Sequence, residues 1–253
     1  MGVFSNMISR EELKPGDHIY SWRTAYIYAH HGIYIGDDMV IHFTRAAGQE
    51  IGTGTFLDNL FLSSSPSPTN TICEICGDQS KLHGVIKSCL NCFLAGGNLY
   101  IFEYAVSSAF FIAKARGGTC TLAASDPAED VLHRAKSLLN EGFGGYSLFK
   151  NNCEDFAIYC KTGFLIETNY SIGRSGQLAS WTAAASTVMS SPLRYLTTSG
   201  TGLVVVAGTM YSLSRYIADI GVRRDVVKIP VERLIEEAGA EEEPQQAVGL
   251  LTI

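Results

Sequence analysis

The chain has 253 residues, of which 46% are hydrophobic and 17% are charged, and its formal net charge is −6. This composition excludes low-complexity disorder for most of the chain, and the length predicts one or two domains with a substantial core. An acidic chain without a stripe rich in Lys and Arg is not expected to bind nucleic acid. The first residues lack the apolar segment of a secretory signal, so we expect a cytoplasmic, reducing location. In such a location we expect the seven cysteines to be free thiols or metal ligands rather than partners in disulfides.

Aromatic, β-branched and histidine residues fill the first ordered zone of the sequence. The segment IYAHHGIYIG (27–36) stops at two aspartates, and MVIHFTR (39–45) resumes the same composition. This pattern predicts two adjacent strands in a hairpin or meander. Because side chains alternate along a strand, His30 and His31 should point to opposite faces, and only one of them can face a helix packed on the sheet.

Residues 63–98 differ in composition from the segments on either side. We interpret them as an insertion between core elements. The segment begins with SSSPSPTN and contains two CxxC pairs, formed by Cys73, Cys76, Cys89 and Cys92, with a spacer of 12 residues. The pairs resemble a ribbon-type zinc site, although its usual spacer is about 15–20 residues. A structural Zn²⁺ would stabilise a short segment that has no core of its own. Alternatively, the second pair belongs to a core strand or helix and never meets the first pair, or the pairs have a redox role.

Two helices and one strand are predicted in the second ordered zone. The apolar run LYIFEYAV (99–106) is typical of a strand. A helix with periodic apolar residues should follow, capped by Asp126 and ended by Gly142. A second helix should begin behind the cap Asn152 and end near Gly163.

Cys153 is the leading candidate nucleophile because it lies at the predicted start of that second helix. A helix N-terminus stabilises negative charge and therefore favours the thiolate, although the two acidic residues that follow oppose this effect. A reactive thiol also needs a base, and His30, His31 and His42 on the predicted strands are candidates. The alternative is that Cys153 is a buried core thiol and that these histidines only fill the core or the surface.

Three blocks taken together resemble the lecithin:retinol acyltransferase-like family. They are LKPGDHIY (13–20), YAHHGIYIGDDMVIHF (28–43) and FKNNCEDFAIYC (149–160), and they occur in the order typical of that family. Its members include the H-Ras-like suppressor phospholipase/acyltransferases and plant proteins of the NC-domain or lead-sensitive type. The resemblance covers about residues 12–62 and 99–165. It implies an α+β, circularly permuted papain-like domain, in which an antiparallel sheet packs on helices and the histidine strands precede the cysteine helix.

We therefore expect one such domain over residues 12–165, with 63–98 as a Cys-rich insertion. Residues 166–253 should form a helical, low-charge region followed by an acidic tail. Within it, residues 175–214 contain a single charged residue, which favours a helix packed on the domain, with peripheral membrane contact as the alternative. The N-terminus approaches a myristoylation pattern, but its serine is one place off.

The resemblance also implies roles for individual residues. Cys153 falls on the family's nucleophile, His30 on its catalytic histidine and His42 on the second histidine that orients the first. His31 occupies a position outside this triad. Family members more often carry histidine where Asp155 stands, a departure that removes no catalytic group.

The implied activity is that of a thiol-dependent phospholipase/acyltransferase. The thiolate would attack an ester of a glycerophospholipid or another acyl lipid, and water, an amine or an alcohol would resolve the acyl-cysteine. No catalytic cofactor is implied. Two alternatives remain: a cysteine amidase or peptidase with the same triad, and a non-catalytic, stress- or metal-linked interaction protein on the same fold.

Overall fold

The computed structural model describes residues 6–23, 28–44, 73–78, 82–114, 116–143, 152–166 and 200–236. Five strands form one antiparallel sheet in the order β4-β3-β2-β1-β5. These strands are β1 (His18–Arg23), β2 (Tyr28–Gly36), β3 (Met39–Thr44), β4 (Gly84–Cys89) and β5 (Tyr100–Ile101). The helices are α1 (Leu90–Leu94), α2 (Ser108–Ala113), α3 (Ala128–Glu141), α4 (Cys153–Thr162) and α5 (Gly200–Ala218). A small second sheet pairs β6 (Phe164–Ile166) with β7 (Val226–Lys228). The fold is α+β, with an antiparallel sheet packed against helices, as predicted.

The β2–β3 hairpin predicted from the sequence is present. Asp37 and Asp38 form its turn with φ angles of 50° and 54°. Aspartate tolerates this left-handed conformation better than most non-glycine residues. The register places Ile33 opposite Ile41, so matching faces of the two strands are buried together.

The two faces of the sheet pack on different helices. On one face, called the α4 face here, Ile33 and Phe43 pack with Phe156 of α4 and with residues of α3. On the other, the α1 face, Val40 packs with Phe93 of α1. Because side chains alternate along β2, this division decides which residues can meet the α4 helix.

Part of the predicted insertion belongs to the core. Within 63–98, residues 84–94 form β4, which pairs with β3 along its whole length, and α1, whose Leu90 and Phe93 are fully buried. The loop-like composition of the segment's first half hid the strand that follows it. The part of the insertion that precedes residue 73 lies outside the described residues.

Two local predictions were wrong at the level of single residues. Pro127, not Asp126, is the cap of α3, because the Asp126 carboxylate instead accepts hydrogen bonds from Arg134 at 2.5 Å and from Lys228 at 2.7 Å. The predicted strand 99–106 is reduced to the two residues of β5, and a positive φ of 52° at Ala105 interrupts extended backbone.

The low-charge C-terminal region contributes α5, which among the described residues packs on α2. Arg215 is buried, donates a hydrogen bond to the Lys114 carbonyl and lies over the ring of Phe111. Other side chains of α5 are exposed to solvent, with Val205 62% and Ile217 59% exposed. The packing of this region on the domain and the alternative of membrane contact both stay predictions. Among the residues that the structure describes, none of the helices has the length and apolarity needed to span a membrane. The N-terminal myristoylation pattern and the acidic tail lie outside the described residues.

Candidate active site and thiol cluster

The first turn of α4 presents Cys153 behind a complete cap. The side-chain oxygen of Asn152 accepts hydrogen bonds from the backbone N–H groups of Glu154 at 2.9 Å and Asp155 at 3.1 Å. The Asp155 carboxylate accepts in return from the backbone N–H of Asn152. This reciprocal arrangement satisfies amide groups that the helix cannot pair, and it fixes Cys153 as the first helical residue. The predicted helix start and its end at Gly163 are confirmed.

The Cys153 thiol is fully buried against strand β2. Its Sγ lies 3.8 Å from the backbone carbonyl oxygen of Ala29, to which it donates a weak hydrogen bond. The next residue along β2 is His30. The helix N-terminus and the first histidine strand, separated by more than one hundred residues of sequence, are therefore in direct contact.

His30, His42 and Ser88 form a hydrogen-bonded chain on the α1 face, called the α1-face relay here. His30 Nε2 lies 2.9 Å from His42 Nδ1, and His42 Nε2 lies 2.8 Å from Ser88 Oγ. The ring of Phe93 contacts both imidazoles, with centroid distances of 5.2 Å and 5.4 Å. The predicted pairing of the two histidines is thus present in the structure, and Ser88 extends it.

Burial keeps this relay neutral. Desolvation lowers the pKa of His30 well below its usual value, with the neighbouring His42 adding to the effect, and it lowers the pKa of His42 to about 3. Among the residues described, the buried Nδ1 atom of His30 has no hydrogen-bond partner. A neutral His30 with its Nε2 occupied by His42 can therefore use Nδ1 to accept a proton.

The structure brings His30 and His42 together, but it shows no hydrogen bond between the Cys153 thiol and Nδ1 of His30. Helix α4 packs on the face of β2 that carries Ala29 and Ile33, whereas the His30 ring belongs to the α1 face. The thiol of Cys153 meets the strand backbone and forms no hydrogen bond with His30 Nδ1.

His31 belongs to a second imidazole network on the α4 face. Its Nδ1 lies 2.8 Å from His18 Nε2, and His18 Nδ1 lies 2.8 Å from the hydroxyl oxygen of Tyr104. Burial lowers the pKa of His31 to about 3. Sequence reasoning assigned no role to His18, Tyr104 or Ser88. The only available signal was that His18 lies in the first of the three family-like blocks.

The four CxxC cysteines converge. Their Sγ atoms all lie within 4.8 Å of one another, with Cys76 and Cys92 3.3 Å apart and Cys73 and Cys89 3.7 Å apart. Zn–S bonds of about 2.3 Å place the sulfurs of a tetrahedral site about 3.8 Å apart, so the donor set fits a zinc ion. The alternative that the second pair belongs to core elements is correct for Cys89 and Cys92, yet these two residues still meet the first pair.

An antiparallel sheet that carries paired histidines ahead of a capped cysteine helix defines the class, and the family comparison agrees with it. Residues 11–166 match the family model "Lecithin retinol acyltransferase", and the chain belongs to that family. The chain is also 60% identical over 235 residues to "Protein LEAD-SENSITIVE 1" of Arabidopsis thaliana, covering 92% of this chain and 90% of that protein. The resemblance stated from the three sequence blocks is confirmed.

Proposed function

We propose that this chain is a thiol-dependent phospholipase/acyltransferase that acts through an acyl-cysteine at Cys153. One observation carries the proposal: the capped helix start brings Sγ to the β2 backbone at Ala29. The next residue, His30, is an imidazole hydrogen-bonded to His42, and among the described residues its Nδ1 has no partner. A nucleophile, a base and a third group that orients the base are the elements of triad chemistry. Family membership favours acyl transfer as the reaction.

The proposed reaction proceeds in two displacements. Nδ1 of His30 takes the thiol proton of Cys153, and sulfur attacks the ester carbonyl of a glycerophospholipid to form a tetrahedral oxyanion, which the α4 N-terminus stabilises. The C–O bond then breaks, and His30 returns its proton to the departing alcohol. Water, an amine or an alcohol attacks the thioester, again with His30 as the base, and releases the thiol. His42 holds the His30 ring in the required tautomer throughout.

The first step requires Sγ of Cys153 and Nδ1 of His30 to come into contact. Because the His30 ring lies on the α1 face and α4 packs on the other face of β2, the two groups must move towards each other before the proton is transferred. Catalytic hydrogen bonds are often long or unaligned without substrate and tighten in the complex. The resting pair is neutral rather than an ion pair, because burial disfavours the imidazolium of His30.

Fatty-acid release from phosphatidylcholine vesicles tests the proposal. Cys153→Ala and His30→Ala should each lower the rate at least about a hundredfold, since each removes a group that takes part in bond making or proton transfer. Cys160→Ala is the matched control, because Cys160 is a fully buried thiol on the same helix. Undiminished release by Cys153→Ala would refute the proposal, and preference for a peptide amide in competition would favour the amidase alternative.

A non-catalytic, metal-linked function is the second candidate. It is favoured by the complete burial of Cys153 and by a four-thiol cluster of the kind that soft cations prefer. The name of the Arabidopsis relative refers to lead sensitivity. This alternative predicts that an iodoacetamide probe labels Cys153 no faster than Cys120 or Cys160, whereas the enzyme proposal predicts preferential labelling of Cys153.

We also propose that Cys73, Cys76, Cys89 and Cys92 hold a structural Zn²⁺. Backbone N–H groups of Cys76 and Ile75 lower the pKa of Cys73 to about 6, which favours the thiolate that a metal needs. Metal analysis of the purified full chain should find about one zinc per molecule. A content near zero in folded protein would contradict the assignment.

A further inference from the structure

We propose that the four-cysteine cluster positions the α1-face relay, so that metal held by the cluster sets the orientation and tautomer of His30. This inference rests on the proposed roles of His30 and of the zinc site. Two of the four thiols adjoin, along the chain, the two residues that contact the histidine pair. Cys89 follows Ser88, and Cys92 precedes Phe93.

The first connection runs through the end of β4. Ser88 pairs with Val40 and Cys89 pairs with Met39, so β4 aligns Ser88 beside the strand that carries His42. The Ser88 hydroxyl then lies 2.8 Å from His42 Nε2. A tether at the Cys89 sulfur, one residue away, restrains the last residue of the strand and therefore the position of this hydroxyl.

The second connection runs through α1. The helix has only five residues, and its cap residue Cys89 makes no side-chain capping bond. A helix of this length has little stability of its own. A tether at Cys92 would hold the turn from which Phe93 packs against both imidazoles.

His30 can act as a base only if the hydrogen bonds of the relay run in one direction, from His30 through His42 to Ser88. If Ser88 accepts from Nε2–H of His42, then Nδ1 of His42 accepts from Nε2–H of His30, and Nδ1 of His30 is left as an unprotonated acceptor. If Ser88 donates instead, the chain reverses and Nδ1 of His30 carries the proton. A Ser88 hydroxyl that accepts from His42 therefore leaves His30 in the form that can act as a base.

The test compares the zinc-loaded full chain with Cys73→Ser, which removes one ligand from the turn outside β4 and α1. Imidazole ¹⁵N shifts report the tautomers of His30 and His42 without substrate, and iodoacetamide labelling reports the Cys153 thiol. We expect Cys73→Ser to mix the tautomers and to slow Cys153 labelling about tenfold. Ile75→Ser is the matched control, since Ile75 is 69% exposed in the same turn and keeps all four thiols; it should change neither readout.

If Cys73→Ser does not fold, chelating zinc from the parent chain tests the same step: it should mix the tautomers, and native ¹⁵N shifts in the folded zinc-free chain would overturn the inference. A second pair of variants tests the link from Ser88 to His30. In zinc-loaded protein, Ser88→Ala should give the same tautomer mixture while retaining zinc, and Ser88→Thr, which keeps the hydroxyl, should restore the native shifts. Native ¹⁵N shifts in folded Cys73→Ser, or in Ser88→Ala, would overturn the inference. Tautomer changes without any lipase or acyl-transfer activity in the parent chain would instead overturn the proposed function.

Discussion

The position of Cys153 depends on the side chain of Asn152, which caps the first turn of α4. Its amide oxygen accepts from two backbone N–H groups that the helix leaves unpaired. The thiol of Cys153 can face strand β2 only while this turn is intact. The cap therefore both stabilises the helix and positions Cys153, the proposed nucleophile.

Replacing Asn152 should destabilise the protein measurably. Asn152→Ala removes both accepted hydrogen bonds and should lower the free energy of unfolding by about 1 kcal/mol in urea denaturation. Asn152→Ser, which keeps a capping oxygen, should recover most of that loss. Equal stability of the alanine variant and the parent would show that the cap does not contribute as described.

The histidines show how far single residues could be assigned from the sequence. Alternation predicted that His30 and His31 would oppose each other, and they enter separate networks on the two faces. Ser88 and Tyr104 could not be predicted, because their contacts join residues 46 and 86 positions apart in the chain. Such contacts depend on the order of strands in the sheet, which no local pattern encodes.

At the scale of elements, the β2–β3 hairpin allows close packing of α1 because β2 has a glycine where the helix approaches. A Cβ atom at Gly32 would lie 2.7 Å from a methyl carbon of Val40, 2.9 Å from the Phe93 ring and 3.1 Å from Cβ of His42. All three neighbours are buried and belong to the relay or to its packing.

The Gly32→Ala variant should therefore be destabilised by about 1–3 kcal/mol, because neighbouring side chains must move to admit the methyl group. Gly208→Ala is the matched control, since no atom of the described residues outside the helix's own backbone lies within 4 Å of a Cβ at that position in α5, and alanine favours helix. The control should be unchanged or slightly more stable. Thermal and urea unfolding of both variants measure the difference, and equal effects would contradict the packing described.

Elements with strong local signals were predictable and those that depend on tertiary contacts were not. The hairpin and the capped helix α4 followed from composition, alternation and capping residues. Strand β4 was missed because it follows a loop-like segment, and its strand character depends on pairing with β3. Asp126 was predicted as a cap from its place just before Pro127. Its pairing with Lys228, 102 residues away, could not be predicted from that local pattern.

At the scale of the whole molecule, four imidazoles are buried in the sheet in neutral form. Burial lowers the pKa of His18, His30, His31 and His42 below the ordinary value of 6.5. The unfolded chain therefore binds protons at a higher pH than the folded chain. The resulting stability is fully present above about pH 6.5 and is lost as the pH falls from there towards the folded pKa of about 3 for His31 and His42.

Stability should consequently fall with acidification before carboxylates titrate. Between pH 7.5 and pH 5.5, each buried imidazole should contribute a loss of about 1 kcal/mol in the free energy of unfolding, and the four together several kcal/mol. Urea denaturation at the two pH values measures this loss. A flat profile over this range would contradict the neutral, buried state of the histidines.

The central claim is that Cys153 becomes acylated, and intact mass spectrometry tests it most directly. After incubation of the full chain with phosphatidylcholine vesicles, the account predicts a mass increase equal to one fatty acyl group, lost on hydroxylamine treatment and mapped to Cys153. The adduct should be absent from Cys153→Ala and present in Cys160→Ala. An acyl adduct that persists in Cys153→Ala, or no adduct in the parent chain under conditions where it releases fatty acid, would contradict the account.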